Sequence, residues 1–533
     1  MRRHAVSASL AALLFSAGSA TADDNHGSHA GQDQVGKVVF ANSCAPAVQA
    51  DFLRAVAMLH SFWYSAGEQT FREVLAKDPG CAIATWGIAA ILMQNPLAGI
   101  GALPQGAVQA QAAIDQGRKI GGGTPRERDY IEAVAAYYED FAARPERARQ
   151  ESRAEAFEAL AARYPDDDEA QIFSALYIAG TQSQADQSYA AYARSAAILA
   201  REAAKYPDHP GISHYLIHVY DAPPIAAQGL PAARRYAGLA PDAPHALHMP
   251  SHIFTRVGAW EDSAATNARS FDSALRGNEQ PEAYHATDYM VYADLQLARD
   301  AAALAAMERA FAVKVPADAG PVVAYPTAAM PARYAVERGD WRAAMQLVPP
   351  PGGTPFTQAL SWYAKALGAA RSGDVAAAEQ AAQELVTRQQ ALVAAGNAYW
   401  AKEVEIQQRA AAAWIAFARK DTEAGLVLMR EAADLEDRNE KHIVTPGRIL
   451  PARELLGDML LEAGQPALAL REYETSAQRE PNRFRGLYGA ARAAEAAGER
   501  DKAAGYYRQL LALAKDADTQ RPELARAKAY VAG

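Results

Sequence analysis

From about Ala45 onward the hydrophobic and polar positions follow a helical rhythm, and no stretch alternates apolar with polar residues as a strand would. Ala, Leu, Glu, Gln and Arg dominate, all strong helix formers. Breaks fall at Pro and Gly, at intervals that suit pairs of short helices joined by tight turns. A 34-residue period runs through the pattern. With Leu450 as position 1, Gly457 stands at 8, Gly464 at 15, Ala469 at 20, Tyr473 at 24 and Pro481 at 32. The next frame opens at Phe484 and places Ala491, Gly498, Ala503 and Tyr507 at the corresponding positions. Frames at Tyr325 and Ala359, again 34 apart, align Gly339 with Gly373 and Ala344 with Ala378. Near the N-terminus, Ala66, Phe71 and Pro79 form the second half of another unit.

Small residues at 8 and 20 let two helices approach closely, Gly at 15 permits the turn between them, and Pro at 32 ends the second helix. These residues resemble the tetratricopeptide repeat (TPR) family over most of Ala45–Ala525. The resemblance implies an all-α, right-handed solenoid of helical hairpins whose concave face binds a peptide or protein partner. The expected organisation is a signal peptide over 1–22, a flexible linker over 23–44, a degenerate array carrying a His cluster over 45–320, and a more regular array over 321–533.

The N-terminus changes the picture. Arg2 and Arg3 precede an uncharged run from Ala5 to Ser16, and Ala20-Thr21-Ala22 offers a small-x-small cleavage site. The run is too short to span a bilayer. These features predict export to a periplasmic or secreted location and no integral membrane segment after cleavage. In an oxidising compartment Cys44 and Cys81, the two cysteines of the chain, are expected to form a disulfide that staples the N-terminal end. Two cysteines exclude a disulfide-dense scaffold or a Cys₄ zinc module. A net charge of −9 over 533 residues argues against nucleic acid as the partner.

Histidine supplies the candidate chemistry. Of 12 His, six lie between His214 and His285. His214 and His218 stand at i and i+4, which puts them on one helix face, and His248 and His252 repeat that spacing. His214 to His248 and His218 to His252 are both 34 apart, so the repeat predicts a patch across two neighbouring helices. His285 extends the row to a third helix. Pro250 between His248 and His252 predicts a helix start there, with His218–His252 the better-placed contact.

Neutral imidazoles at this spacing suit a transition metal, zinc or copper, with His214, His218, His248, His252 and His285 as candidate ligands. His245, Asp221, Tyr220, Arg256 and Asp288 are candidates to orient those rings or to line the groove. Two alternatives stand beside the metal: a metal-free pocket using His as acid, base or donor, and histidines that merely pack and hydrogen-bond. Tyr215 follows His214, so the glutamate of an HExxH peptidase is missing. His60, His209 and His442 read as core or loop residues, and the Gly121–Gly123 run carries no phosphate-loop pattern. MPSHIFTRVGAW from Met249 parallels MPARYAVERGDW from Met330, and LPAREL starts at Leu450. This motif reads as a shared helix start opened by Pro, or else as a cationic stripe of Arg333 and Arg453 for an anionic ligand. The function that follows is an exported hairpin-array binding protein with a metal site in its central repeats, with a metal-dependent enzyme using the same histidines as the alternative.

Overall fold

The computed structural model describes residues 34–316 and 319–533. The predicted signal peptide and the first part of the predicted linker, through residue 33, lie outside the described residues. Helices are the regular elements among the described residues, with no strand among them, and Gln34–Gly533 forms one compact unit. No helix among them is long and apolar enough to cross a membrane.

Antiparallel pairs build the array. Pro355–Arg371 packs on Val375–Ala394, Ala398–Ala418 on Thr422–Asp437, Ala452–Glu462 on Pro466–Arg479, and Phe484–Ala496 on Arg500–Leu513. The predicted turn glycines Gly339, Gly373, Gly464 and Gly498 all have φ between 66° and 83°, the left-handed region that a side chain resists. Asp374 and Asp421 cap the second helix of their pairs by accepting from the backbone N–H three residues on. Small residues do what the period requires: a Cβ on Gly457 or Gly489 would fall within 3 Å of the Tyr473 ring.

The N-terminal end is more elaborate. Residues 34–44, expected as part of a linker, run without helix but bury Val35, Val38 and Phe40 against the first hairpins. Cys44 and Cys81 form the expected disulfide.

Two features depart from an open groove. The C-terminal hairpins fold back on the middle of the chain: the Trp260 indole N–H donates to the Asn482 carbonyl, and Arg483 is buried among Tyr292, Glu337 and Glu454. The second is the non-helical segment 438–451, which runs through the interior with Asn439, Glu440, Lys441, His442 and Thr445 all buried. Its contacts span the molecule. The Glu440 N–H donates to the Gln184 carbonyl, His442 Nε2 reaches the Ala98 carbonyl, and Arg333 donates to the carbonyls of Gly447 and Arg448. The face expected to be a free concave surface beside the histidines is therefore occupied by the chain itself.

At the root of this segment Glu403 and Glu436 share the Arg448 guanidinium, at 2.9 and 3.5 Å. Burial pushes Glu436 up to about 8 against the pull of Arg448. The carboxyl of an unfolded chain ionises near 4.5. Between those values the unfolded state releases a proton that the folded state keeps, so stability falls as pH rises through this window. Glu436→Gln is expected to raise stability by about 3 kcal/mol at pH 7 and by almost nothing at pH 4, at about 1.4 kcal/mol per pH unit. Melting temperatures of both proteins at the two pH values measure it; an equal gain at both would disprove the titration.

Candidate metal centre

Four helical segments bring the histidines together: α1 (Pro210–Tyr220), α2 (Pro244–His248), α3 (Pro250–Arg256) and α4 (Gln280–Gln296). The expected helix start at Pro250 is there: α3 opens on it, with His252 in its first turn. A short helix not expected from the sequence, α2, precedes it, and Met249 keeps right-handed helical dihedrals (φ −52°, ψ −38°) as the chain passes from α2 to α3. Pro250 lacks only an N–H, and the Met249 N–H still reaches the His245 carbonyl. His245, His248 and His252 consequently share one face, at i, i+3 and i+7. The preceding helix α2 also changes His214's neighbour. Its ring packs 5.2 Å from His245, while His218 lies 5.8 Å from His252, as the 34-residue period requires (centroid distances). Pro331 lies inside Pro321–Glu337, so of the three motif copies Pro250 and Pro451 stand at a helix start and Pro331 does not.

Two three-histidine groups result, His214/His218/His245 and His248/His252/His285, and within each, one nitrogen from each ring lies within 4.8 Å of the others. All six side chains are buried. Burial, reinforced by the neighbouring rings, holds His214, His218 and His248 well below the usual imidazole range. Burial also lowers His252, against the pull of Asp221, and takes His285 down to about 3. These rings are neutral, the form that binds a metal.

Hydrogen bonds to outer oxygens fix the tautomers. His248 Nδ1 lies 2.7 Å from Asn267 Oδ1, and Asn267 Nδ2 donates to the Ser263 carbonyl, which sets which way the amide points. His248 therefore carries its proton on Nδ1. His252 Nδ1 lies 2.8 Å from Asp221 Oδ2, a carboxylate that only accepts, so its proton is also on Nδ1. Both Nε2 atoms then present bare lone pairs, and they face each other at 3.1 Å. Two lone pairs at that distance repel unless a cation lies between them. A proton would make His252 a third cation on Asp221, which already binds Arg256 Nε at 2.7 Å and Lys441 Nζ at 3.3 Å. Two imidazoles bound at ~2.0–2.1 Å to one tetrahedral ion sit about 3.3 Å apart, close to what is seen.

Asp221 is the hub of this arrangement. Burial opposes its charge, yet Lys441 and Arg256, with His252, hold it well below the usual carboxylate range. Arg256 also lies 3.5 Å from Glu440 of the interior segment. The Tyr289 hydroxyl lies 3.4 Å from His252 and donates toward the carbonyls of Ile443 and Thr445 at 3.1 Å.

Of the other candidates, His245 stands among the inward-facing rings and not behind them. Its Nδ1 is 3.2 Å from Glu282, and its Nε2 is buried without a partner. His285 Nδ1 is likewise buried and unpartnered. Asp288 does not reach the rings: it pairs with Arg333 at 3.1 Å, deep in the core. Tyr220 packs among apolar side chains. Arg453 is answered by Asp434, Asp437 and Glu472, and Arg333 by Asp288 and segment carbonyls, so the shared motif leaves no free cationic stripe. His60 and His209 bracket Glu169 at 2.9 and 3.0 Å, and the His60 carbonyl receives the Nδ1–H of His214 at 2.6 Å. That trio forms the floor beneath His214; Glu169 takes one nitrogen of each ring, and His209 Nδ1 is buried without a partner. Sequence reading passed over Lys441, Asn267 and Glu282. No spacing rule marks them, because each reaches the site from a separate element.

No protein-family model matches the chain, and no curated protein matches it. In its hairpins and their turns it is an all-helical array like those of tetratricopeptide proteins, and it encloses a histidine cluster. Solved structures similar to it include the APC/C hetero-tetramer Cut9–Hcn1, with TM-score 0.27 and 11% identity over 90% of this chain and 96% of that one. Another is the TPR domain of P58(IPK), with TM-score 0.21 and 15% identity over 69% of this chain and 98% of that one. At these TM-scores the likeness lends no support to a partner or an activity.

Proposed function

We propose that the protein is an exported metal-binding protein whose hairpin array encloses a transition-metal centre, zinc or copper, built on His248 and His252. The observation that carries this reading is the pair of bare Nε2 atoms facing at 3.1 Å with both Nδ1–H groups committed outward. His285, with its unpartnered Nδ1, supplies a third donor from α4. Oxygens behind the rings fix the tautomers, the usual support of imidazole ligands. The disulfide supports the exported location. A metal-dependent enzyme is the second reading, favoured by Tyr289 beside the His252 ring and by Lys441 on the carboxylate that holds that ring. A protein partner, suggested by the hairpin architecture, would dock away from the face that segment 438–451 fills.

The test is metal content by mass spectrometry of the full chain, exported and purified without a His tag. Wild type is expected to carry near-stoichiometric zinc or copper, and the His248→Ala/His252→Ala variant essentially none. A metal-free wild type that stays empty after incubation with either ion would overturn the proposal.

A further inference from the structure

The centre has a second half. His214 donates from Nδ1 to the His60 carbonyl, so its Nε2 is bare, and that atom lies 3.1 Å from His218 Nε2. His245 carries its proton on Nδ1 toward Glu282, which leaves Nε2 bare, buried and unpartnered. Three imidazoles from α1 and α2 thus converge as the other three do from α2, α3 and α4. Each group contains one i, i+4 pair and one histidine from a neighbouring helix. Each is braced by outer oxygens: His60 and Glu282 on one side, Asn267 and Asp221 on the other. The groups adjoin, with His218 5.8 Å from His252 and His245 6.0 Å from His248 between ring centroids.

Resting on the metal reading above, we infer that the site is dinuclear and holds a pair of copper ions, one on His214, His218 and His245 and the other on His248, His252 and His285. The donor chemistry selects the metal. Both sets are all-imidazole, with no carboxylate ligand in either. The nearest acids are committed, Asp221 to Arg256 and Lys441 and Glu282 to His245. Two divalent ions would place four positive charges in a buried space whose acids are already paired, whereas two copper(I) ions bring two. Imidazole serves both oxidation states of copper, so the pair can be loaded reduced and read oxidised.

The experiment uses the full chain stripped of metal. Copper(I) is titrated in without oxygen against a chromophoric copper(I) chelator. The loaded protein is then oxidised, and its copper(II) spins are counted by electron paramagnetic resonance. Wild type is expected to bind two equivalents, with a spin count well under one per copper because neighbouring copper(II) ions couple. His218→Gln and His285→Gln are each expected to bind one equivalent with a full spin count. One equivalent in wild type, lost in His248→Ala/His252→Ala and kept in His218→Gln, would overturn the pair and leave the metal centre standing. Two equivalents with full spin count would mean separate sites, which also overturns it. No copper or zinc in wild type would overturn the metal reading and the pair together. The wild-type stoichiometry and spin count decide the matter even where a variant fails to fold.

Discussion

Asp221→Ala is expected to cost about 3–5 kcal/mol of stability and to weaken metal binding 10- to 100-fold. Asp221 caps the C-terminal end of α1 and joins that helix to two other elements: α3, through His252 and Arg256, and the interior segment, through Lys441. Removing the carboxylate leaves two buried cations, one of which, Lys441, has no other acid within 4 Å among the described residues. The cost comes from those unpaired charges more than from the lost attraction. It also frees the His252 ring to move its proton to Nε2, the tautomer that cannot bind a metal there. Asp221→Asn separates the two effects. An amide oxygen can still receive the His252 Nδ1–H, so metal affinity should fall less than in the Ala variant while the charge penalty remains. Denaturant midpoints and chelator competition on the three proteins measure this. An Ala variant as stable as wild type would show that segment 438–451 does not depend on this contact.

Loss of the disulfide is the second large effect. Cys44 and Cys81 are separated by 37 residues, and a cross-link closing a loop of that length stabilises by roughly 3–4 kcal/mol in the chain-entropy account. The loop contains the first two long helices, Gln49–His60 and Tyr64–Lys77, and it pins the extended residues 34–44 against them. His60 ends the first of these helices, and its carbonyl holds the His214 tautomer. Cys44→Ala/Cys81→Ala is therefore expected to loosen the N-terminal hairpin first. Amide hydrogen exchange should speed up about 100-fold or more across Gln49–Lys77, with little change in Ala452–Leu513. Exchange that rises equally at both ends would show that the array opens as one unit and that the staple has no local role.

Much of the local architecture was legible in the sequence because a helix and its turn are set within a few residues. The glycines expected at the turns adopt the conformation that needs glycine, and Tyr473 fills the space that Gly457 and Gly489 leave. The cysteine pair was legible for the same reason, since a hairpin returns the chain to its start. So was the approach of His218 to His252, because a 34-residue period stacks equivalent positions side by side. His285 also joins the row on the next helix, its ring 4.3 Å from His248.

Tertiary structure decided the rest. The helix expected to start at Pro250 does so, with proline in its first turn. The short helix before it, Pro244–His248, was not legible, and because Met249 joins the two with helical dihedrals, His245 becomes an inward-facing donor. Arg333 and Arg453 could be read as a cationic stripe until their acids were seen, and those acids lie on other elements. Periodicity measures how a segment packs on its immediate neighbours. The tautomers of the histidines depend on His60, Asn267, Asp221 and Glu282, which stand 19 to 154 residues from the rings they hold. Lys441 stands 220 residues from Asp221 and reaches it because the array closes on itself and draws one non-helical segment through its interior. The sequence alone determined which residue types line up on each helix; only the closed fold determined which nitrogen of His214, His245, His248 and His252 is bare, and so what the six histidines can bind.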